Sequence, residues 1–202
     1  NAACSGFVYA LTVAQALLQN LGDKYALVIG SEKISKMIDF NDRNTCVLFG
    51  DGAGALVISN GEGIFASYSN SAGNLDALKA PAINEVSENH FLTMAGQEVF
   101  KFAVKVIPES INAVLKKSNL TLDDVAYVVC HQANYRIIKN VYKKLKSSED
   151  KFYMNLQEYG NTSAASIPLA LAEMDEKQML KPGDKIICVG FGGGLTWGAT
   201  LI

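Results

Sequence analysis

Gly160-Asn-Thr-Ser-Ala-Ala-Ser-Ile-Pro-Leu-Ala-Leu171 repeats the plan of Asn1-Ala-Ala-Cys-Ser-Gly-Phe-Val-Tyr-Ala-Leu11. Each stretch has an asparagine, a run of small residues and the start of an apolar helical repeat. Asn1 and Asn161 are 160 positions apart, and so are Leu11 and Leu171. The downstream segments match as well. After the first stretch come a buried-strand run, Tyr25–Gly30, and the apolar pair Cys46–Ile58 around a glycine turn. After the second come Lys185–Gly190 and Leu195–Ile202, joined by Gly192-Gly-Gly194. The spacing predicts an internal duplication of helix–strand–strand. Alternating strands and helices precede the second copy and nothing precedes the first, so the first unit is expected to be incomplete.

Between the copies lie a strand at 64–68, a polar irregular stretch over 69–89 and a long helix over 96–117. The helix has Val99, Phe102, Ala103, Val106, Ile107, Ile111, Val114 and Leu115 on one face. A strand over Val125–Cys130, a helix carrying Ile137, Ile138, Val141, Tyr142 and Leu145, and a strand over 152–156 come next. Strands alternating with helices predict a mostly parallel sheet with helical layers.

The chain has 202 residues, 49% hydrophobic and 19% charged, which suits one compact unit or two small ones sharing a core. A formal charge of -2 gives no global reason to expect nucleic-acid binding. No apolar run approaches the ~20 residues of a membrane span, and no basic-then-apolar leader opens the chain. Cys4, Cys46, Cys130 and Cys188 form no C-x-x-C pair. They argue against a zinc knuckle or a disulfide framework and for a reducing compartment, so a cytoplasmic location is expected.

Three residues offer chemistry. Cys4 precedes a helix whose first turn is Ser-Gly, and peptide N–H groups at a helix start favour an anion. It is either a nucleophile of depressed pKa or a small cysteine filling a helix start. Asn161 holds the matching place in the second copy, as a ligand-facing amide or an ordinary N-cap. His131 ends the Val125–Cys130 strand, at the carboxyl edge where open α/β sheets bind ligands; a hydrogen-bonded histidine at a strand end is the plainer reading. A pseudo-symmetric sheet would bring all three to one centre. His90 belongs to no motif, and Gly50-Asp-Gly-Ala-Gly54 lacks the spacing of a dinucleotide fingerprint.

The stretches AACSGFVYAL, FGDGAGA, HQANYRII, GNTSAAS and GFGGGLTWG, in this order, resemble 3-oxoacyl-[acyl carrier protein] synthase III, the initiating condensing enzyme of bacterial type II fatty-acid synthesis. The resemblance runs from Asn1 to Ile202. It implies a thiolase-like α/β fold with duplicated halves in five α-β-α-β-α layers, the first half incomplete. The chain would then divide into 1–60, the remaining part of the first half with the nucleophile helix, and 61–202, the second half. It also implies condensation of an acyl-CoA primer, acetyl-CoA by expectation, with malonyl-[acyl carrier protein]. Cys4 matches the acylated nucleophile, and His131 and Asn161 the pair that stabilises the enolate left by decarboxylation. The backbone N–H groups of Cys4 and Gly193 match the oxyanion hole. Gln132, Ala133, Asn134, Tyr135 and Arg136 are assigned to carrier-protein docking, and Arg43 and Asn134 to CoA. No cofactor or metal is implied, and acyl carrier protein, acyl-CoA and a second copy are the expected partners, with no nucleic acid or membrane. The segment His131–Lys151 has six Lys/Arg against Glu149 and Asp150, a net +4 suited to an acidic partner. A second cysteine two residues before the triple glycine would mark a degradative thiolase, and Gly190 stands there. Cys130 directly before His131 is expected to be buried and inert. An inactive remnant or carrier-protein-binding module is the rival reading, and a related synthase of secondary metabolism a further one.

Overall fold

Helix α1 (Gly6–Leu21) buries Phe7, Val8, Leu11 and Leu18, a stripe set by residues one helical turn apart. A stripe that packs on both sides needs a layer on each, and α1 touches two sheets. The computed structural model describes residues 2–22, 24–61, 63, 65–80 and 91–202. On one side of α1 lies an antiparallel pair, β1 (Tyr25–Glu32) and β2 (Gly52–Ser59), with Gly30 opposite Gly54. On the other lies a four-stranded sheet built from β3 (Ala66–Ser71), β6 (Tyr127–Cys130), β7 (Ile186–Gly192) and β8 (Thr196–Leu201), in the order β3-β8-β7-β6. A short pair, β4 (Leu78–Lys79) and β5 (Thr93–Met94), leads into α2 (Gly96–Ser118). Helix α3 (Tyr135–Lys144) follows β6 and packs with α2 on the outer face of the four-stranded sheet. The short α4 (Leu156–Tyr159) precedes α5 (Ser166–Glu176), which lies beside α1 between the sheets.

Strand β7 is buried along its whole length and explains the two cores. Its residues alternate by face. Ile187, Val189 and Phe191 join α2 and α3, while Ile186 and Cys188 join α1 and α5. The layers among the described residues run β–α–β–α. Four of the five expected layers are present. The outer face of the β1–β2 pair exposes Tyr25, Leu27, Ile29 and Val57.

The duplication is visible in the backbone. Three-residue 3-10 turns, Ala3–Ser5 and Ser163–Ala165, open α1 and α5. Ala3 has φ 45° and Ser163 φ 50°, left-handed values at equivalent places. Ser5 N–H donates to Ala2 O at 2.9 Å, and Ala165 N–H to Thr162 O at 3.0 Å. Each helix is followed by a strand and then an antiparallel partner. Asn1, which begins the first copy, lies outside the described residues, as does His90.

Three expectations are corrected. The sheets are mainly antiparallel, and only β6 and β7 run parallel among the described strands. Gly52 and Gly54 lie inside β2 rather than in a turn. Their role is contact: a Cβ on Gly54 would stand 2.8 Å from Leu169 N, and one on Gly30 2.4 Å from Ala164 O. Bare backbone there lets the start of α5 press against β1 and β2. The expected strand over 152–156 is reduced to one bridge, Phe152 to Val128.

Candidate active site

Cys4, His131 and Asn161 line one cavity of about 380 Å³. Its apolar wall is formed largely by Leu48, Phe49, Leu78, Met94, Phe100 and Phe191. Cys4 lies in the first 3-10 turn, His131 directly follows β6 and Asn161 precedes the second 3-10 turn.

Cys4 is the middle residue of the first 3-10 turn and is buried. The turn is held from the far copy. Ser5 Oγ donates to Thr196 O at 2.9 Å, and Thr196 Oγ1 lies 3.0 Å from Ala2 O. A Cβ on Gly192 would stand 2.7 Å from Cys4 Cβ, so β7 crosses the turn where only glycine fits. The sequence pattern points to Gly193 here. A Cβ on that residue would meet Leu78 Cδ2 at 3.5 Å and Ala3 Cβ at 3.7 Å, both ordinary contacts. The glycine pressed on the thiol is Gly192.

Burial pushes the Cys4 thiol up to about 11, the reverse of the expected depression. The Ser163 side chain and Cys4's own backbone N–H favour the thiolate, Glu32 disfavours it, and desolvation outweighs them. The resting group is therefore a thiol near neutral pH. Cys130 is buried and raised further, and Cys188 rises to about 12. Both are buried away from the cavity, as expected for Cys130.

Asn161 is fixed from both ends. Its N–H donates to Leu48 O at 2.8 Å, and its carbonyl accepts Gly50 N–H at 2.9 Å. Its side-chain Oδ1 accepts Ser163 N–H at 2.9 Å, which assigns the amide. The Nδ2 group is thus the end left to serve a ligand in the cavity.

His131 N–H donates to Val189 O at 2.7 Å at the end of β6. Its ring meets Phe191 edge to face, with centroids 5.2 Å apart. Nδ1 lies 2.7 Å from Ser166 Oγ. Burial lowers the ring's pKa to about 3, so it is neutral under physiological conditions. A neutral imidazole donates from one nitrogen and accepts at the other.

The docking segment divides in two. Gln132 is 1% exposed, and its Nε2 donates to Cys130 O and Tyr153 O while its Oε1 accepts Asn155 N–H. It clamps the His131 strand end from within and presents nothing to a carrier protein, which corrects its assignment. Ala133 and Asn134 line the cavity, and Asn134 Oδ1 caps α3 by accepting Arg136 N–H at 2.8 Å. Tyr135 and Arg136 are exposed. A recess of about 440 Å³ shares Gly96, Gln97, Phe100 and Asn134 with the cavity and reaches Arg136, which therefore stands on the rim. Lys144 and Lys151 donate to backbone carbonyls, so they act as braces. Arg43 is exposed beside Asn44, which lines the cavity.

Comparison with known proteins settles the family. A profile described as 3-oxoacyl-[acyl-carrier-protein (ACP)] synthase III matches residues 1–73, and one described as its C-terminal part matches residues 115–202. The beta-ketoacyl-[acyl-carrier-protein] synthase III of Clostridium novyi is 55% identical over the whole chain. The chain belongs to the 3-oxoacyl-[acyl-carrier-protein] synthase III family. It spans 66% of the length of that relative. The crystal structure of the Aquifex aeolicus synthase III superposes with a TM-score of 0.91 at 44% identity, covering 99% of this chain and 64% of that one. The Thermus thermophilus synthase III gives a TM-score of 0.93 at 40% identity, with 100% and 65% covered. The fold is thus thiolase-like.

Four features of the site were not legible in the sequence: Gly192, Ser163, Ser166 and the clamping role of Gln132. Ser163 and Ser166 lie inside the GNTSAAS motif, but nothing in one sequence says which hydroxyl faces which ring.

Proposed function

We propose that this chain carries the condensing chemistry of its family: transfer of an acyl group from acyl-CoA to Cys4, then Claisen condensation with malonyl-[acyl carrier protein]. The observation that supports it is the shared cavity, with a thiol, a neutral imidazole and an oriented amide N–H₂ on its wall. Cys4 Sγ attacks the acyl-CoA carbonyl, its proton leaves and CoA departs as the thiol. The N–H groups of Cys4 and Gly193 receive the oxyanion. Malonyl thioester then loses CO2, and its enolate oxygen takes hydrogen bonds from His131 and Asn161, two preorganised donors in a largely apolar site. The enolate carbon attacks the acyl-Cys4 carbonyl and expels the thiolate. No residue in this scheme calls on a cofactor or metal.

The same reading takes 1–60 and 61–202 as parts of two halves sharing one core, and gives Arg136 to docking of an acidic carrier protein and Arg43 to CoA. Acetyl-CoA as primer, a homodimer and a cytoplasmic setting belong to it as well. The test is intact mass after exposure to acetyl-CoA, on the protein as its gene encodes it. A gain of one acetyl group that Cys4→Ser abolishes is expected, since a serine hydroxyl is far harder to deprotonate than even a buried thiol and is a weaker nucleophile. Retained condensation in Cys4→Ser removes Cys4 from the mechanism. No acetyl gain in the unaltered protein favours a carrier-binding module instead.

A further inference from the structure

Ser166 opens α5, is 2% exposed and has no place in the scheme above. Its Oγ has three neighbours: His131 Nδ1 at 2.7 Å, Gln132 N–H at 3.3 Å and Ser163 O at 2.9 Å. Gln132 N–H is a donor only, so it occupies one lone pair of Oγ. The single hydroxyl proton can then point to Ser163 O or to His131 Nδ1. These choices have opposite results at the other end of the ring. Directed at Ser163 O, the hydroxyl obliges Nδ1 to carry the ring proton, and Nε2 is left as a bare lone pair. Directed at Nδ1, it moves the ring proton to Nε2.

The first arrangement is not required by Ser163 O, which already accepts the backbone N–H of Ser166. Turning the hydroxyl away therefore leaves no buried carbonyl without a partner, and costs little. The second arrangement gives His131 a donor where an enolate oxygen develops; a lone pair there would repel it. The ring has little freedom to solve the problem by flipping, because Phe191 packs edge-on against it and β6 fixes its backbone.

We propose that Ser166 is a positioning residue that holds His131 in its Nε2–H tautomer by donating its hydroxyl proton to Nδ1. The catalytic consequence rests on the condensing function above, whereas the tautomer itself does not. Without the hydroxyl, the remaining backbone partner of the ring is Ser163, whose carbonyl accepts a proton and cannot give one. Ser166→Ala should therefore move the ring proton to Nδ1.

The experiment is nitrogen NMR of protein labelled with 15N-histidine. The chain has two histidines, so a His131→Gln spectrum assigns the signals. We expect Nε2 of His131 to bear the proton in the unaltered protein and to lose it in Ser166→Ala. In the same variant, malonyl-thioester decarboxylation should fall about a hundredfold, as for loss of one oxyanion donor, while acetyl transfer to Cys4 is unchanged. A bare Nε2 in the unaltered protein overturns the proposal, and that measurement needs no variant to fold. An Nε2–H that persists in Ser166→Ala overturns it too. A proton that moves while decarboxylation survives upholds the role of Ser166 and removes His131 from the decarboxylation step.

Discussion

The two helix-opening turns share a backbone and differ in everything that is chemical. Ala2–Ser5 and Thr162–Ala165 have the same left-handed residue, the same closing hydrogen bond and the same helix behind them. In the first, the thiol-bearing residue, Cys4, follows the left-handed residue. In the second, Asn161 comes two places before it and Ser163 occupies it. The connections after the first strand differ more. Nineteen residues, 33–51, join β1 to β2, whereas three, 193–195, join β7 to β8. Each connection serves the opposite copy. Leu48 and Gly50 of the long one grip Asn161, and Gly192 with Thr196 at the short one grip the Cys4 turn. A duplicated frame thus supplies place, and the reciprocal crossing of unequal loops supplies a site that neither copy has alone.

The sharpest way to test this division is to remove one copy's chemistry. His131→Ala and Asn161→Ala should lower malonyl decarboxylation a hundredfold or more, with acetylation of Cys4 intact by mass. Equal damage to both steps means that the two turns act as one unit. Next is the crossing over Cys4. Gly192→Ala forces atoms that stand 2.7 Å apart to separate, and a displacement of that kind should slow Cys4 acylation by about a hundredfold. Gly193→Ala, which meets only ordinary contacts, should preserve the fold by circular dichroism and the melting temperature. Matching melting losses in both would show that the crossing is not specific to Gly192.

Thr196→Val cuts the side-chain tie from the second copy to the first turn while keeping volume. It should cost about 1–2 kcal/mol in denaturant unfolding, and slow acylation more than decarboxylation. Asn161 itself is held by the main chain of Leu48 and Gly50, and the side-chain tie to its turn is Glu32, whose Oε1 accepts Ser163 Oγ at 3.2 Å and Ala164 N–H at 3.4 Å. The smallest effect is expected at Arg136→Glu. A rim charge steers an acidic partner, so the apparent affinity for carrier protein should weaken several-fold while acetyl transfer from CoA stays level. Loss of both would make Arg136 structural.

Much of this was legible in the sequence. The 160-residue offset announced two equivalent turns, because small residues in register leave few ways to pack. Asn161 at a helix opening was legible for the same reason, and His131 at a strand end from the apolar run Val125–Cys130 before it. Strand direction was not. Alternation of elements predicts parallel pairing only where a helix spans each crossover, and both β1–β2 and β7–β8 close without one. The reading of Gly52 and Gly54 as a turn failed because a glycine needed for contact with α5 looks the same as one needed for a bend. The direction of the Cys4 pKa followed burial, which depends on residues far away in the chain, such as Leu78 and Phe191 in the cavity wall.

The neutral His131 ring reaches beyond catalysis. Unfolded, it takes up its proton near the ordinary histidine value of 6.5; folded, it resists until about 3. Between those values the unfolded chain binds more protons than the native one, so stability falls as pH drops and returns as it rises. At about 1.4 kcal/mol per pH unit, the whole window amounts to on the order of 5 kcal/mol, a large part of a typical domain's total. Acid unfolding followed in His131→Gln beside the unaltered protein measures it, and the variant should lose most of the slope between pH 6.5 and about pH 5, above the range where Asp42, Asp51, Asp124, Asp150 and Glu173, all lowered by their partners, add their own. A ring kept uncharged by burial thus also acts as a proton-linked weak point of the fold.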